Sequence, residues 1–437
     1  MNESDFFLVG ALIIYVSSKR PIVFLGQNGE HDAFLRWRPV FPYPFVLFSN
    51  SRFLSFSMQV RIVTTESELI SLKESWNRLV HCNSGTDYAF CSWEWFYHSW
   101  NYTHRPGLFV VTVFRDDRLI GLLPLVMFSR KVRGISSRQL AFCVNANTPR
   151  NSIYVDPNEA KQEIFDAIFE KIFSEKKQWD ILRLADVDRS TAFYDYLLSS
   201  HSPCRFLIQT PSRISPYVKI DDYANFDEHL LKNVSQRRRT KLRRDIKRLD
   251  DSENKCTLVH YDTSETFEKG LELLMNVRKL SWKSKPTERF RVFFESICKD
   301  PYFADKVHIA VLLLGDDTPI AAQFYLIKNG CSQMILNDHD EAYHGTLVPG
   351  SNLTTLMLMY AFEQRWSFFD FSGDAYEYKK RLASGVTDHS SFQIFHHGWK
   401  SRMIYHGKKH ILPLIRKILF PSPASLPNDS PKDATKT

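Results

Sequence analysis

The chain has 437 residues, 43% of them hydrophobic and 24% charged, with a net charge of +8. That length allows two or three domains around a sizeable core, and the balance is that of a globular protein. Seven cysteines, an odd number with no C-x-x-C, exclude a disulfide framework or a zinc ribbon and suit a reducing compartment. The excess positive charge favours anionic partners: nucleic acid, phosphorylated carriers or a membrane face.

Residues 1–57 stand apart from the rest. The apolar run 6–16 is only eleven residues long, too short to span a bilayer, and Glu3 and Asp5 precede it where a signal peptide would carry cations. No transmembrane segment is expected. The stretch reads as a poorly ordered extension, with a membrane-surface anchor as the other reading.

Regular patterning begins at Met58. A strand over 58–64 leads into a helix over 66–80, with Leu69, Leu72, Trp76 and Leu79 on one face. An aromatic helix over 92–100 follows, then strands over 108–114 and 119–128 around an Asp116-Asp117 turn. Shorter strands are expected at 139–143 and 152–155, and a helix at 158–176. A strand at 179–184, a helix at 190–198 and strands at 206–209 and 217–220 complete the first half.

Residues 221–254 connect the halves. Eight of the thirteen residues 236–248 are Lys or Arg, and Leu230, Val234, Leu242, Ile246 and Leu249 have roughly helical spacing. This basic helix is a solvated connector, a phosphate-binding face that uses Arg238 and Arg243, or a nucleic-acid-binding surface. No recognition helix, RNP motif or zinc finger accompanies it.

The second half repeats the order of the first. A strand at 257–261 precedes helices at 264–281 and 289–298. Apolar runs at 307–314, 320–327 and 331–336 are separated by Gly315-Asp316-Asp317 and Asn329-Gly330. Asn-Gly between apolar runs marks a hairpin, so three antiparallel strands are expected. The Asp116-Asp117 and Asp316-Asp317 turns occupy the same place 200 residues apart, which points to a tandem duplication of one mixed α/β unit.

The third strand ends in Asn337-Asp338-His339-Asp340. Pro349-Gly350-Ser351-Asn352 then opens an apolar helix, and a strand at 368–371 ends in Asp370-Phe371-Ser372-Gly373-Asp374. A tight polar loop, Tyr376 to Arg381, brings phenols and cations to the same sheet end. Strand ends beside a helix N-terminus make an anion site, because unpaired N–H groups and the helix dipole point there. Asp338 or Asp340 could act as a base or merely turn the strand exit. Pro349-Gly350-Ser351-Asn352 could be a helix cap alone, and Lys379 a solvated surface cation. Trp282, with Arg278 and Lys283, could line an acceptor cleft, or the tryptophan could belong to the core. His339, His344, His396 and His397 show no metal-ligand spacing, and no metal is expected. The segment 399–420 reads as a basic amphipathic helix, and 421–437 as a disordered tail.

Asp340 with Tyr343, Pro349-Gly350, the run from Asp370 to Asp374, and Tyr378-Lys379 followed by Gly385 carry a family resemblance. Over about 220–400 the chain resembles GNAT-type acyltransferases, in particular the cellulose-biosynthesis (BioF2-like, CelD/BcsL-type) acetyltransferases, and is similar to FemAB-type aminoacyltransferases. The resemblance implies an α/β fold of tandem GNAT-like units, one over 58–220 and one over 255–420. It implies acyl transfer to an amine or hydroxyl of a small-molecule or glycan-precursor acceptor, in polysaccharide or cell-envelope biosynthesis. Asp338, Asp340 and Lys379 would be catalytic, and Pro349, Gly350, Ser351 and Asn352 would hold the cofactor. Arg238, Arg243, Trp282, Asp370, Asp374 and Tyr378 would bind substrate. The glycine motif that holds the CoA pyrophosphate in GNAT enzymes is absent. The donor therefore stays open between acetyl-CoA or another acyl-CoA and an aminoacyl-tRNA. A phosphate-bearing ligand and a cytoplasmic location, with the inner membrane surface as its variant, complete the expectation. A non-catalytic polyanion-binding module is the alternative from another class.

Overall fold

The computed structural model describes residues 58–411 except 83–86, 133, 134, 144–146, 251–254, 284 and 374, together with Leu12–Ile14 and Ile22–Phe24. The expectations for the remainder of 1–57, for the tail from 421, and for Asp374 lie outside these residues. Leu12–Ile14 (β1) and Ile22–Phe24 (β2) pair antiparallel within a unit of their own.

The main unit is built on strands β3 (Gln59–Val63), β4 (Gly107–Arg115), β5 (Arg118–Val132), β6 (Ile135–Phe142), β7 (Tyr154–Val155), β8 (Ile181–Asp188) and β9 (Phe206–Lys219) from the first half. The second half supplies β10 (Cys256–Tyr261), β11 (Val307–Leu314), β12 (Thr318–Lys328), β13 (Cys331–His339), β14 (Phe368–Asp370) and β15 (Gly385–Phe395). All join one mixed sheet in the order β10-β11-β12-β13-β14-β9-β15-β8-β6-β5-β4-β3, with β7 on the side of β5. The order is the same read outward from either side of the central antiparallel β9–β15 pair. Each half has an antiparallel meander and one parallel pair, β6–β8 or β13–β14. The last strand of each half crosses into the other: β9 pairs with β14, and β15 with β8.

Local chemistry explains the meanders. Asn329 and Gly330 both have positive φ, 51° and 73°, as a two-residue hairpin turn requires. Asp116 and Asp117 do the same at 49° and 62°, while the corresponding second-half turn places its positive φ on Gly315. Val307–Leu312 is buried throughout because helices cover both faces of the sheet, so the strand reads as a continuous apolar run. Phe267–Leu280 and Glu288–Lys299 pack on one face together with Lys73–His81 and Trp93–Tyr102 from the other half. Trp95 meets Phe293 edge to face at 5.3 Å across that shared core. Pro349–Glu363 covers the opposite face of the second half, and Lys161–Ser174 that of the first.

The structure differs from the local expectations at four places. The strands read at 206–209 and 217–220 are one 14-residue strand, β9. Its polar middle, with Pro211 and Pro216, hides strand character that comes from pairing with β15. The polar loop at 376–381 is a short helix, Glu377–Leu382. The strand β15 was not read at all, since Asp388, His389 and two serines break its apolar alternation. The basic connector is two helices, Phe226–Asn233 and Gln236–Leu249, broken at Val234. Of the C-terminal helix expected over 399–420, the described part is Trp399–His406 followed by a π-helical turn to Ile411, and 412–420 lie outside the described residues. No helix among the described residues is long and apolar enough to cross a membrane.

One pH effect belongs to this scaffold. His308 on β11 is buried against His260 on β10, with ring nitrogens 2.8 Å apart. Burial, then the neighbouring imidazole, pushes His308 down to about 4. The fold therefore favours the neutral ring. Its contribution is complete above the ordinary histidine value of about 6.5 and is lost as pH falls toward 4. His308→Phe should flatten the dependence of urea stability on pH across that window; an unchanged slope would place the acid sensitivity elsewhere.

Candidate active site

The parallel strands β13 and β14 pair only over Cys331–Gln333 with Phe368–Asp370. Beyond Gln333 they diverge, while β13 stays bonded to β12 on its other side. Met334, Ile335 and Leu336 consequently present a strand edge with no neighbouring strand to a cleft of about 560 Å³, and at Asn337 the backbone carbonyl accepts from Lys283 Nζ. The start of the Pro349–Glu363 helix contributes Gly350 and Ser351. The exit of β14 contributes Ser372, Gly373, Tyr376, Tyr378, Lys379 and Arg381, and the Phe267–Leu280 helix with its following loop contributes Arg278, Trp282 and Lys283. Lys241 and Asp245 reach it from the basic helix, and Asn147, Pro149 and Arg213 from the first half. The β6–β8 splay of the first half holds a smaller cleft, about 390 Å³, lined mainly by apolar groups and Arg183. Convergent polar groups single out the second-half cleft.

The helix start is built on strain. Val348 sits at φ +45° and Pro349 has no N–H. Ser351 and Asn352 donate their N–H groups to the Val348 carbonyl at 3.2 and 3.1 Å. The Asn352 side chain donates to the Leu347 carbonyl at 2.6 Å. Gly350 is thus the first-turn residue left to offer an N–H to the cleft. Of the four expected cofactor residues, Gly350 and Ser351 line the cleft; Pro349 and Asn352 shape the turn from behind. A Cβ on Gly350 would lie 2.8 Å from His339 Nδ1. Gly350→Ala should therefore displace His339 and the turn and raise KM for the donor about tenfold or more, equivalent to about 1.4 kcal/mol. An unchanged KM would mean that the cleft is indifferent to this contact.

The two carboxylates read as candidate bases lie elsewhere. Asp338 has no exposed surface; its carboxylate accepts from Arg278 at 2.8 Å and pairs with Lys283 Nζ at 3.3 Å. The Arg278 guanidinium also stacks on Phe290 at 4.2 Å. Asp338 acts from behind the cleft wall, through the two cations that line it. Asp340 accepts from the Ala342 N–H at 2.9 Å, capping the turn Glu341–Tyr343, and does not line the cleft. Asp370 is buried too, paired with Arg150 from the first half and accepting from the Ser372 N–H at 2.8 Å. It fixes the end of β14 rather than facing a ligand.

Lys379 is buried, not solvated. Its ammonium donates to the carbonyls of Phe371 and Ser372 at 2.8 and 2.6 Å while lining the cleft. It holds together the exit of β14, where Ser372 and Gly373 both have positive φ. Tyr378 accepts from Asn337 Nδ2 at 2.7 Å, which leaves its O–H to donate. Burial pushes the phenol well above its ordinary value, so it stays protonated at neutral pH. Trp282 lines the cleft and is 61% exposed, a rim residue rather than core. Arg238 and Arg243 are exposed and off the cleft, Arg243 pairing with Asp227 at 3.2 Å. Lys241 and Asp245, one helical turn apart and ion-paired, face it instead. The expected Arg238 and Arg243 and the cleft-lining Lys241 and Asp245 thus lie at different positions of one helix. Arg278 and Lys283 line the cleft with Trp282 as read from the sequence, but their pairing with Asp338 and the presence of His339 and His344 in the cleft were not legible there.

Residues 236–380 match the family model described as the acetyltransferase (GNAT) domain. With that domain on this mixed α/β fold, the protein is an acyltransferase enzyme. No curated protein gives a significant sequence match. Among solved structures, that of FemX is 12% identical, with a TM-score of 0.51 over 80% of this chain and 99% of the other. The C-terminal domain of a putative lysylphosphatidylglycerol synthetase from Agrobacterium fabrum is 9% identical, with a TM-score of 0.45 over 78% and 96% of the two chains. A tandem GNAT protein from the clavulanic acid biosynthesis pathway is likewise 9% identical, with a TM-score of 0.42 over 78% and 98%.

Proposed function

We propose that the protein transfers an acyl group, an acetyl group in the simplest case, from acyl-CoA to an amine or hydroxyl. The acceptor is a small molecule or glycan precursor, in polysaccharide or cell-envelope biosynthesis of the CelD/BcsL type. The observation that carries this reading is the edge of β13 over Met334–Leu336, which no strand pairs. An extended chain bearing amides, such as the pantetheine arm, can add to such an edge as a further strand. In this reading the donor carbonyl is held among the Gly350 N–H, the Tyr378 phenol and the Lys379 ammonium, which all line the cleft. Those donors stabilise charge developing on the carbonyl oxygen or the leaving group. Lys241 and the neighbouring cations receive the phosphates. The seven cysteines are all free thiols, which supports a reducing, cytoplasmic setting, with the inner membrane surface as the variant.

Thermal shift with acetyl-CoA tests the donor, because a ligand that binds the folded state stabilises it by about 2.7 kcal/mol at a hundred times Kd. Acetyl-CoA should raise Tm, and Lys241→Ala should shrink the shift several-fold while Arg243→Ala should not. No shift with acetyl-CoA beside a clear one with aminoacyl-tRNA would move the donor to the second reading, transfer of an aminoacyl group. The exposed basic surface of the Gln236–Leu249 helix supports that reading, since a polynucleotide would cover it. A binding role without catalysis gains nothing from this geometry, because the cleft is open and lined by convergent donors.

A further inference from the structure

At the end of β13 three side chains converge from positions 339, 341 and 344. The spacing follows neither a strand nor a helix, because the chain turns from β13 into the short turn Glu341–Tyr343 between them. His339 Nε2 lies 3.1 Å from a Glu341 carboxylate oxygen and 3.3 Å from His344 Nδ1. The three ligand atoms all fall within 4.8 Å of one another. In a tetrahedral zinc shell with bonds of about 2.0–2.1 Å, neighbouring ligand atoms are roughly 3.3 Å apart. The two shorter separations here are edges of that size.

The arrangement also orients the ring. The Nδ1 edge of His339 lies against Gly350, so Nε2 is the nitrogen turned to Glu341 and His344. The two imidazoles stack with centroids 5.4 Å apart, and both line the cleft. Two imidazoles and a carboxylate are a ligand set that suits zinc and its neighbours rather than magnesium or calcium.

We propose that His339, Glu341 and His344 bind a zinc-class divalent cation at the mouth of the cleft. Three protein ligands leave a coordination position free, and with two of the ligands on the cleft wall an oxygen of a bound molecule can fill it. The reading of the sequence, which took these histidines as lacking metal spacing, is replaced by this one.

The test uses the full chain stripped of metal by a chelator and titrated calorimetrically with Zn²⁺ alone. Wild-type protein should take up one equivalent at this site. His344→Ala and Glu341→Gln should each weaken that binding by at least about tenfold, since even partners of metal ligands cost 10–100-fold. Both side chains are exposed, so their removal should leave Tm unchanged, and a circular dichroism melt checks this. Titration with Co²⁺ gives an independent readout: the intense visible absorption of a low-coordinate site should appear in wild type and vanish in His344→Ala. Absence of Zn²⁺ binding in the wild type would overturn the proposal. So would equal stoichiometry and affinity in His344→Ala. Neither measurement uses a donor or an acceptor, so the outcome stands apart from that of the proposed acyl transfer.

Discussion

Asp338→Ala should lower the unfolding free energy by about 3–5 kcal/mol, the cost of removing one partner from a buried ion pair. The carboxylate is wholly buried and meets two cations, Arg278, itself nearly buried, and Lys283. Without it, Arg278 keeps its charge between Phe290 and the sheet with no acid to answer it. Urea denaturation monitored by fluorescence measures the effect, and the double variant Asp338→Ala with Arg278→Met should recover part of the loss. The same experiment separates structure from chemistry. If Asp338→Asn melted like wild type yet lost turnover, the carboxylate would be acting on the reaction and not on the wall.

Lys379→Met should cut turnover by roughly 10²–10³, about 3–4 kcal/mol, by analogy with deleting one oxyanion donor. The structure adds a stability cost that an exposed lysine would not have. The carbonyls of Phe371 and Ser372 lose their shared donor, at about 1–3 kcal/mol for buried groups left unsatisfied. Turnover must therefore be read well below the melting transition. Lys380→Met is the control: its side chain is 48% exposed and pairs loosely with Glu377 at 3.6 Å. Equal impairment in the two variants, or turnover within a few-fold of wild type for Lys379→Met, would remove Lys379 from the reaction.

Much of the meander was legible because its causes are local. The turn at Asn329-Gly330, the apolar runs around it and the proline at the helix start each carry their own instruction. The repeated Asp-Asp turns and the repeated element order pointed to the strand order that recurs in the two halves of the sheet. What sequence could not show depends on distant partners. Asp370 meets Arg150 across 220 residues, and nothing near either predicts the other. Lys379 looks like any surface cation until the strand exit that it ties is known. Arg238 and Arg243 were chosen from charge alone, whereas the buried stripe of Leu249 and Asp245 decides which side of that helix turns inward. Asp340 had two readings of similar merit, and the backbone N–H two residues on took it as a cap.

The crossing of β9 and β15 has a consequence for how such a chain can be cut. A fragment ending at residue 220 would hold β9 without the β14 that pairs with it, and would leave β8 with an open edge where β15 belongs. Each half on its own is incomplete in the manner of a protomer from a domain-swapped dimer. Co-expressed as two separate polypeptides, the halves should find one another and exchange those strands.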